Sequence, residues 1–217
     1  MENLINYPYI TEYLEKILPP YEGFSATLEQ YAKENHIPII FKEVRDFFRF
    51  LLPILNPKKI LEIGTAIGYS AIFFAEICPE AKITTIEIDS AIYEIARKNI
   101  KESGFDNRIN SINENAADIL PCLDAKYDLI FIDAAKGQYS EYYKYAKQRI
   151  NPGGTLIFDN ILYKGLPAND ELVTHKHRTI ANNLKNFNLT ILNDKDFVSS
   201  ILPLGDGLIL ARKETDQ

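Results

Sequence analysis

Acidic side chains follow three apolar, strand-like segments of the chain. They are Glu87, Asp133 and Asp159. Because the carboxyl ends of parallel strands meet at one edge of a sheet, we expect the three acids to converge there. Asp133, Asp159 and the adjoining Asn160 offer hard oxygen ligands without sulfur or imidazole, a set that suits Mg²⁺ or Ca²⁺. The alternative is that Asp159 and Asn160 belong to an ordinary turn.

Lys136 stands three residues after Asp133 and would lie near any metal-bound substrate. A lysine whose pKa is lowered by desolvation or by a nearby cation can accept a proton in catalysis. The alternative is a solvated loop lysine. The histidines do not offer metal-ligand spacing to the acids. The run His175-Lys176-His177-Arg178 is either a solvated helix start or a local contact for phosphate.

A glycine-containing turn follows the first predicted strand, residues 60–63. Gly64 and Gly68 have the spacing G-x-x-x-G and lack the G-x-G-x-x-G pattern of a pyrophosphate-binding turn. The spacing therefore leaves room for a nucleoside without phosphates, such as S-adenosylmethionine, with Glu62 beside its cationic end. The alternative is a plain tight turn between strand and helix.

Glu87 closes the second predicted strand, where a carboxylate can bind both ribose hydroxyls of a nucleoside. Its distance past the glycine turn fits that role, and a helix N-cap is the alternative.

The elements that must position these residues alternate between strand and helix from residue 58 onward. Strands are predicted at 60–63, 83–87, 109–112, 127–133 and 155–159, with helices at 69–77, 90–102 (capped by Asp89), 140–150 and 178–186. Residues 151–154 are predicted as a turn. After an apolar segment at 189–192, residues 199–204 and 208–212 are predicted as an antiparallel hairpin at the sheet edge. This is an open α/β sheet of mostly parallel strands.

Residues 1–57 are predicted to be helical and to form a cap ahead of the α/β core at 58–217, within a single domain over 1–217. One helix stops at Pro19-Pro20, and a second opens with a capping box at Thr27 and ends near Asn35. The third, residues 39–52, is rich in aromatic side chains and serves either the core or a subunit interface.

Composition narrows the class of protein. The net charge is −6, the opposite of what nonspecific nucleic-acid binders usually carry. No apolar run has the length of a membrane span, and the N-terminus lacks the pattern of a secretory signal. Cys78 and Cys122 lie in unrelated contexts, which favours buried thiols over a disulfide. We expect a cytoplasmic protein that does not act at a membrane.

Several separated motifs resemble the cation-dependent class I O-methyltransferases, the family of the catechol and caffeoyl-CoA enzymes. They are residues 61–70, residues 131–139 and Asp159-Asn160, and the resemblance runs from about residue 38 to 212. Within that family, residues 57–72, 136–139, 164–166 and 205–208 are most similar to the bacterial tRNA 5-hydroxyuridine methyltransferases.

The resemblance implies a Rossmann-like class I methyltransferase fold with a seven-stranded sheet, and a homodimer. It implies that Mg²⁺ is held by Asp133, Asp159 and Asn160, with Lys136 and Asp133 as the catalytic residues. It also implies an S-adenosylmethionine site, for which the candidate residues are Ile40, Glu62, Gly64, Gly68, Ser70, Glu87, Asn115, Ala116 and Asp133. Relatives often have Gly-Asp-Ala near the adenine, whereas this chain has Glu114-Asn115-Ala116.

Three functions follow as hypotheses. The first is methylation of 5-hydroxyuridine at the wobble position of the tRNA anticodon stem-loop, giving 5-methoxyuridine. The second is methylation of a small catechol-type or caffeoyl-CoA-type substrate. Both acceptors present two neighbouring oxygens that one Mg²⁺ can chelate. The third is a nucleotide-binding or regulatory protein that has kept the fold without turnover.

Overall fold

A seven-stranded sheet with strand order β3-β2-β1-β4-β5-β7-β6 forms the centre of the fold. The computed structural model describes residues 5–215. The strands are β1 (Lys59–Ile63), β2 (Lys82–Glu87), β3 (Ile109–Asn113), β4 (Tyr127–Ile132), β5 (Ile150–Phe158), β6 (Phe197–Leu202) and β7 (Leu208–Lys213). The first five run parallel, whereas β7 lies antiparallel to both β5 and β6. The predicted fold class, including its antiparallel C-terminal hairpin, is confirmed.

Helices cover both faces of the sheet. They are α1 (Pro8–Ile17), α2 (Phe24–Glu34), α3 (Lys42–Leu55), α4 (Tyr69–Ile77), α5 (Ser90–Glu102), the short α6 (Ala116–Ile119), α7 (Tyr139–Arg149) and α8 (Arg178–Leu192). Successive strand residues enter opposite cores: Ile60 packs with α2, α3 and α4, and Leu61 packs with α7 and α8. Both faces are apolar, as expected for parallel strands buried between helices.

Strand register brings the predicted acids to one edge. Ile63 pairs with Ile132, and Ile132 pairs with Phe158. The next residues of β4 and β5, Asp133 and Asp159, therefore leave the sheet side by side, on strands spaced about 4.8 Å apart.

The start of β5 differs from the prediction of a turn at residues 151–154, because those residues form an irregularity within the strand. Tyr127 pairs with Ile150, but Leu129 pairs with Thr155, so the intervening residues of β5 bulge out of the ladder. The last helix also differs. It continues through the apolar segment 189–192, because Leu184, Phe187 and Ile191 recur at helical spacing and are buried.

Two of the N-terminal helices begin at residues other than those predicted. α2 begins at Phe24 with Gly23 as N-cap, so the capping box predicted at Thr27 is wrong. α3 begins only at Lys42, and the preceding residues 39–41 are extended. Its buried face carries Val44, Phe48 and Leu52, whereas Phe50 and Ile54 are 70% and 65% exposed. α3 is thus part of the core along one face and leaves two large apolar side chains on the surface.

Two further sequence expectations concern the thiols and membranes. Cys78 and Cys122 are both free; Cys78 is buried as expected, but Cys122 is exposed. Across residues 5–215, no helix combines the length and the apolar character that a membrane crossing demands.

Candidate active site

A cavity of about 370 Å³ lies at the carboxyl ends of the parallel strands. Its walls come from the turns after β1 to β5 and from the segment between α2 and α3. Ten of the residues singled out in the sequence line it: Ile40, Gly64, Ser70, Glu87, Asn115, Ala116, Asp133, Lys136, Asp159 and Asn160. Glu62 and Gly68 are not among its lining residues.

Gly64 makes the close approach between the first and fourth strands. Its φ is +102°, and a Cβ there would lie 2.0 Å from the carbonyl oxygen of Asp133. A side chain would therefore collide with backbone that cannot yield, and only glycine adopts this φ without strain. The turn after β1 and the segment that begins with Asp133 both line the cavity and are thus in close backbone contact.

Gly68, predicted as a cofactor residue, is not among the residues that line the cavity. Gly68 is the N-cap of α4, with φ +85°, and its nearest neighbours are backbone atoms of Ala96. Gly68 therefore faces α5, on the side of the turn away from the cavity.

Glu62, also predicted as a cofactor residue, lies behind the cavity wall. Its side chain is fully buried and accepts hydrogen bonds from the Ser70 hydroxyl and from Thr85 Oγ1. Burial, with a smaller contribution from the charges of Asp133 and Glu87, raises its pKa to about 7. Glu62 points into the sheet–helix layer and supports Ser70, which does line the cavity.

Glu87 presents an oriented carboxylate to the cavity. Its Oε2 accepts from the backbone nitrogen of Ala66 at 3.0 Å, and its Oε1 accepts from that of Asp89 at 2.9 Å. The N-cap of α5 is Asp89 and not Glu87: the Asp89 carboxylate accepts from the backbone nitrogens of Ala91 and Ile92, as the sequence predicts. Glu87 is therefore fixed by two turns at the cavity wall.

Asn115 lines the cavity and caps α6 at the same time. Its Oδ1 accepts from the backbone nitrogen of Ala117 at 3.1 Å. This local bond is the usual N-cap arrangement. It fixes the amide plane beside Ala116, so that the Asn115 NH₂ group is the part of the side chain suited to donate to a bound heterocycle.

Asp159, which is buried, and Asp133, which is half-buried, form an acid pair. Burial, followed by the charge of Asp133, raises the pKa of Asp159 well above its usual range. Burial also raises the pKa of Asp133, while the charge of Lys136 lowers it. Two carboxylates held this close favour either a shared proton or a cation between them.

The surroundings of Asp159 fit a divalent cation. Its Oδ1 accepts from the backbone nitrogen of Asn160 at 2.5 Å and from Asn160 Nδ2 at 3.3 Å. Its Oδ2 is buried and has no hydrogen-bond partner within residues 5–215. A buried carboxylate oxygen without a partner is costly unless a cation satisfies it.

The remaining donor of this group is an amide. In the described part of the chain, no three His, Cys, Asp or Glu side chains are grouped to hold a metal. The candidate set therefore depends on the carbonyl oxygen of Asn160 beside the two carboxylates. An all-oxygen set of this kind suits Mg²⁺.

Lys136 begins a short 3₁₀ turn, Lys136–Gln138, directly after β4 and lines the cavity. Its Nζ lies 5.9 Å from the centre of the Tyr163 ring. That ring is in turn 6.3 Å from the ring of His177. The Tyr163 ring thus lies between Lys136 and His177, and residues 175–177 form a short 3₁₀ turn that leads into α8 at Arg178.

A strained loop follows Asn160, and sequence reasoning missed what holds it. Asn160, Tyr163 and Lys164 all have positive φ, at 57°, 36° and 60°. Asp206 secures the loop: its buried carboxylate accepts from the Lys164 backbone nitrogen at 2.6 Å. The motif 205–208 was a usable signal, although the sequence indicated only a hairpin turn there.

Sequence reasoning also missed Tyr69 and Tyr142 as cavity residues. Both occur in segments whose helical pattern was recognised, and nothing in that pattern shows which helical side chain turns toward the strand ends.

Comparisons with known proteins agree with this geometry. The family model described as O-methyltransferase matches residues 22–214. A caffeoyl-CoA O-methyltransferase of Populus kitakamiensis is 32% identical over 196 residues, covering 87% of this chain and 83% of that enzyme.

Among solved structures, a candidate caffeoyl-CoA O-methyltransferase from Staphylococcus aureus is 30% identical with a TM-score of 0.88, covering 94% of this chain and 99% of its own. The SAH-bound methyltransferase PaMTH1 of Podospora anserina has the same fold, with a TM-score of 0.85 at 24% identity over 95% of this chain and 94% of its own. The chain belongs to the O-methyltransferase family.

Proposed function

We propose that the protein transfers a methyl group from S-adenosylmethionine to a hydroxyl that has a second oxygen beside it, with help from Mg²⁺. The observation that carries this proposal is the buried, unpartnered Oδ2 of Asp159 next to Asp133, in the same cavity as the turn after β1. On this proposal the cavity would hold a cation at the acid pair and a nucleoside donor along the turns after β1, β2 and β3.

The donor assignment rests on the groups that line the other end of the cavity. Glu87 offers a fixed carboxylate for ribose hydroxyls, and Asn115 and Ala116 offer a wall for adenine. Ser70, at the first turn of α4, lies where helix N–H groups can meet a carboxylate. Relatives of the same fold support the donor, since PaMTH1 and a Bacillus cereus O-methyltransferase were crystallised with SAH.

Asp133, Asp159 and Asn160 would hold the Mg²⁺. When bound, the cation would supply a Lewis acid that orients the acceptor hydroxyl and lowers its pKa. Lys136, on the turn after Asp133, would accept the hydroxyl proton at Nζ when its side chain is in the neutral form. Ile40 and Tyr142 line the same cavity and would exclude water from the reacting atoms. Holding donor and acceptor in line would provide much of the rate enhancement.

A small phenolic acceptor of the catechol or caffeoyl-CoA type is the substrate class that the names of the relatives favour. The acidic net charge of −6 also agrees with a small acceptor.

A 5-hydroxyuridine in the tRNA anticodon loop is the second candidate. It is favoured by the motifs at residues 136–139, 164–166 and 205–208. It is also favoured by the place of the His175-Lys176-His177-Arg178 run, which reaches the acceptor end through Tyr163. Cationic side chains there could meet phosphates.

The experiment incubates the purified protein with Mg²⁺ and isotope-labelled S-adenosylmethionine, in parallel with caffeoyl-CoA, with catechol and with tRNA that carries 5-hydroxyuridine. Mass spectrometry of each acceptor identifies the methylated product. Label in caffeoyl-CoA or catechol alone supports the first candidate, and 5-methoxyuridine alone supports the second. SAH binding without product on any acceptor would favour the reading of a regulatory protein without turnover.

A homodimer is a further part of the proposal. The exposed Phe50 and Ile54 on α3 give one copy an apolar surface suited to a second copy. Light scattering of the purified chain, compared with a variant carrying Phe50→Ser and Ile54→Ser, tests this assembly: a dimer that becomes monomeric supports it, and a monomeric wild type contradicts it.

A further inference from the structure

The helical cap is hydrogen-bonded to the wall of the cavity through one tyrosine. Tyr69, the first residue of α4, lines the cavity, and its hydroxyl donates to Glu29 Oε1 at 2.5 Å. Glu29 belongs to α2 of the cap. Burial, together with the charge of Glu29, raises the pKa of Tyr69 far above its usual value, so the hydroxyl stays a donor.

The same Glu29 oxygen also accepts from Arg45 of α3, at 2.7 Å from Nη1. The Arg45 side chain is completely buried and donates further to the Pro19 carbonyl at 3.3 Å and to Asp46 Oδ1 at 3.2 Å. Its guanidinium also lies 5.3 Å from the centre of the Tyr21 ring. A buried arginine with a carboxylate partner is costly to break, so this contact holds α2 and α3 together.

In the sequence between Glu29 and Arg45 lies the segment 38–41, here termed the strap, which belongs to no helix or strand and lines the cavity along its whole length. α3 starts directly after the strap, and the Arg45 nitrogen donates to the carbonyl of Phe41 at 2.9 Å. On its other side, Phe41 lies against Gly205, where a Cβ would come within 3.0 Å of its ring. The strap is thus held at its last residue, Phe41, by α3 on one side and by the loop at Gly205 on the other.

We propose that Glu29 and Arg45 are positioning residues for the methyl donor, holding the strap over the donor end of the cavity through the Tyr69 hydroxyl. Neither residue lines the cavity itself. This inference rests on the proposed function, because it takes the cavity to be the donor site. Loss of the Tyr69–Glu29 bond loosens the strap and weakens donor binding, while the α/β core stays folded.

The test measures SAH binding by isothermal titration calorimetry for the wild type, Tyr69→Phe, Glu29→Gln and the double variant. Tyr69→Phe removes the hydroxyl donor and Glu29→Gln removes the charge of the acceptor, so each single variant is expected to raise the Kd for SAH about tenfold. Because both substitutions act on the same hydrogen bond, the double variant is expected to bind SAH about as weakly as Tyr69→Phe alone.

Tyr143→Phe is the matched control. The Tyr143 hydroxyl donates to Asp194 Oδ2 at 2.8 Å, a bond of the same kind that lies outside the cavity. This variant is expected to lower the melting temperature and leave the Kd for SAH unchanged. Hydrogen exchange adds a second readout: SAH should slow exchange at Ile39, Ile40 and Phe41 in the wild type, and much less in Tyr69→Phe.

The inference is overturned if Tyr69→Phe behaves as Tyr143→Phe does, with lower stability, an unchanged Kd for SAH and normal protection of the strap. Failure of the wild type to bind SAH at all is a different result. It would overturn the donor assignment, and this inference with it.

Discussion

Asp133 and Asp159 leave neighbouring parallel strands side by side, and the negative charge of Asp133 adds to burial in raising the pKa of Asp159. An acid pair of this kind opposes folding when both members are ionised and no cation is bound. The arrangement therefore costs stability in the absence of the proposed cation, a cost of the kind found at functional sites.

Asp159→Asn is expected to stabilise the metal-free protein while removing its activity. Because the amide cannot ionise, the free energy of unfolding in EDTA should be about 1–2 kcal/mol larger for the variant than for the wild type. Urea unfolding in EDTA measures this change. Asp128→Asn is the control on the amino end of the same β4: the Asp128 carboxylate accepts from the nitrogens of Lys58 and Lys59, so its loss should destabilise. Destabilisation of both variants alike would contradict the account of the acid pair.

Glu62→Gln is expected to change how stability depends on pH. The folded-state pKa of Glu62 is raised from 4.5 to about 7, so the stability that its neutral form contributes is present below pH 4.5 and is lost as the pH rises through about 7. At higher pH the ionised wild type should be less stable than the glutamine variant by about 3 kcal/mol. Urea unfolding of both proteins across this range measures the difference, and a difference that stays constant with pH would argue against an ionising Glu62.

Gly64→Ala is expected to disrupt the turn after β1. A Cβ 2.0 Å from the Asp133 carbonyl forces the first and fourth strands apart. We expect a loss of about 3 kcal/mol or more in stability and no measurable SAH binding. Gly104→Ala is the matched control, since Gly104 also has positive φ, at +76°, with nothing within 4 Å of the added Cβ. It should cost only about 1 kcal/mol and leave SAH binding intact. Equal effects of the two substitutions would contradict the role given to the close approach.

Lys136→Gln is expected to slow methyl transfer without weakening the binding of the methyl donor. Loss of a general base typically costs about 10²- to 10⁴-fold in rate, so kcat should fall by that order while the Kd for SAH stays the same. Steady-state kinetics together with calorimetry separate the two quantities. Lys126→Gln is the control, because the Lys126 Nζ bonds the Gln148 carbonyl away from the cavity. A Lys136→Gln protein with normal kcat would remove Lys136 from the chemistry.

The sheet was predictable from the sequence because buried parallel strands are short apolar runs between helices. The spans around Leu61, Ile86 and Ile130 stand out for that reason, and the cap at Asp89 has a specific side-chain signature. Once the strands were assigned, the positions of Asp133 and Asp159 at their carboxyl ends were enough to predict that the two acids lie close together.

The remainder depends on contacts that a local pattern does not encode. Gly154 lies in a bulge because the pairing of β5 with β4 shifts between Ile150 and Thr155. In the sequence alone, the residues around Gly154 look the same as a turn. Glu62 lies one strand residue from Ile63, which lines the cavity, and strand alternation turns its side chain away from the cavity. The pairing of Tyr69 with Glu29 joins residues 40 positions apart, so it required the packed structure.

The most direct test of the central claim measures methyl transfer from labelled S-adenosylmethionine to whichever acceptor proves active, in EDTA and after addition of excess Mg²⁺. The wild type should form no product in EDTA and regain full turnover with Mg²⁺, whereas Asp159→Asn should form none in either buffer while still binding SAH. Turnover of the wild type in EDTA at its full rate, or normal turnover by Asp159→Asn, would contradict the account.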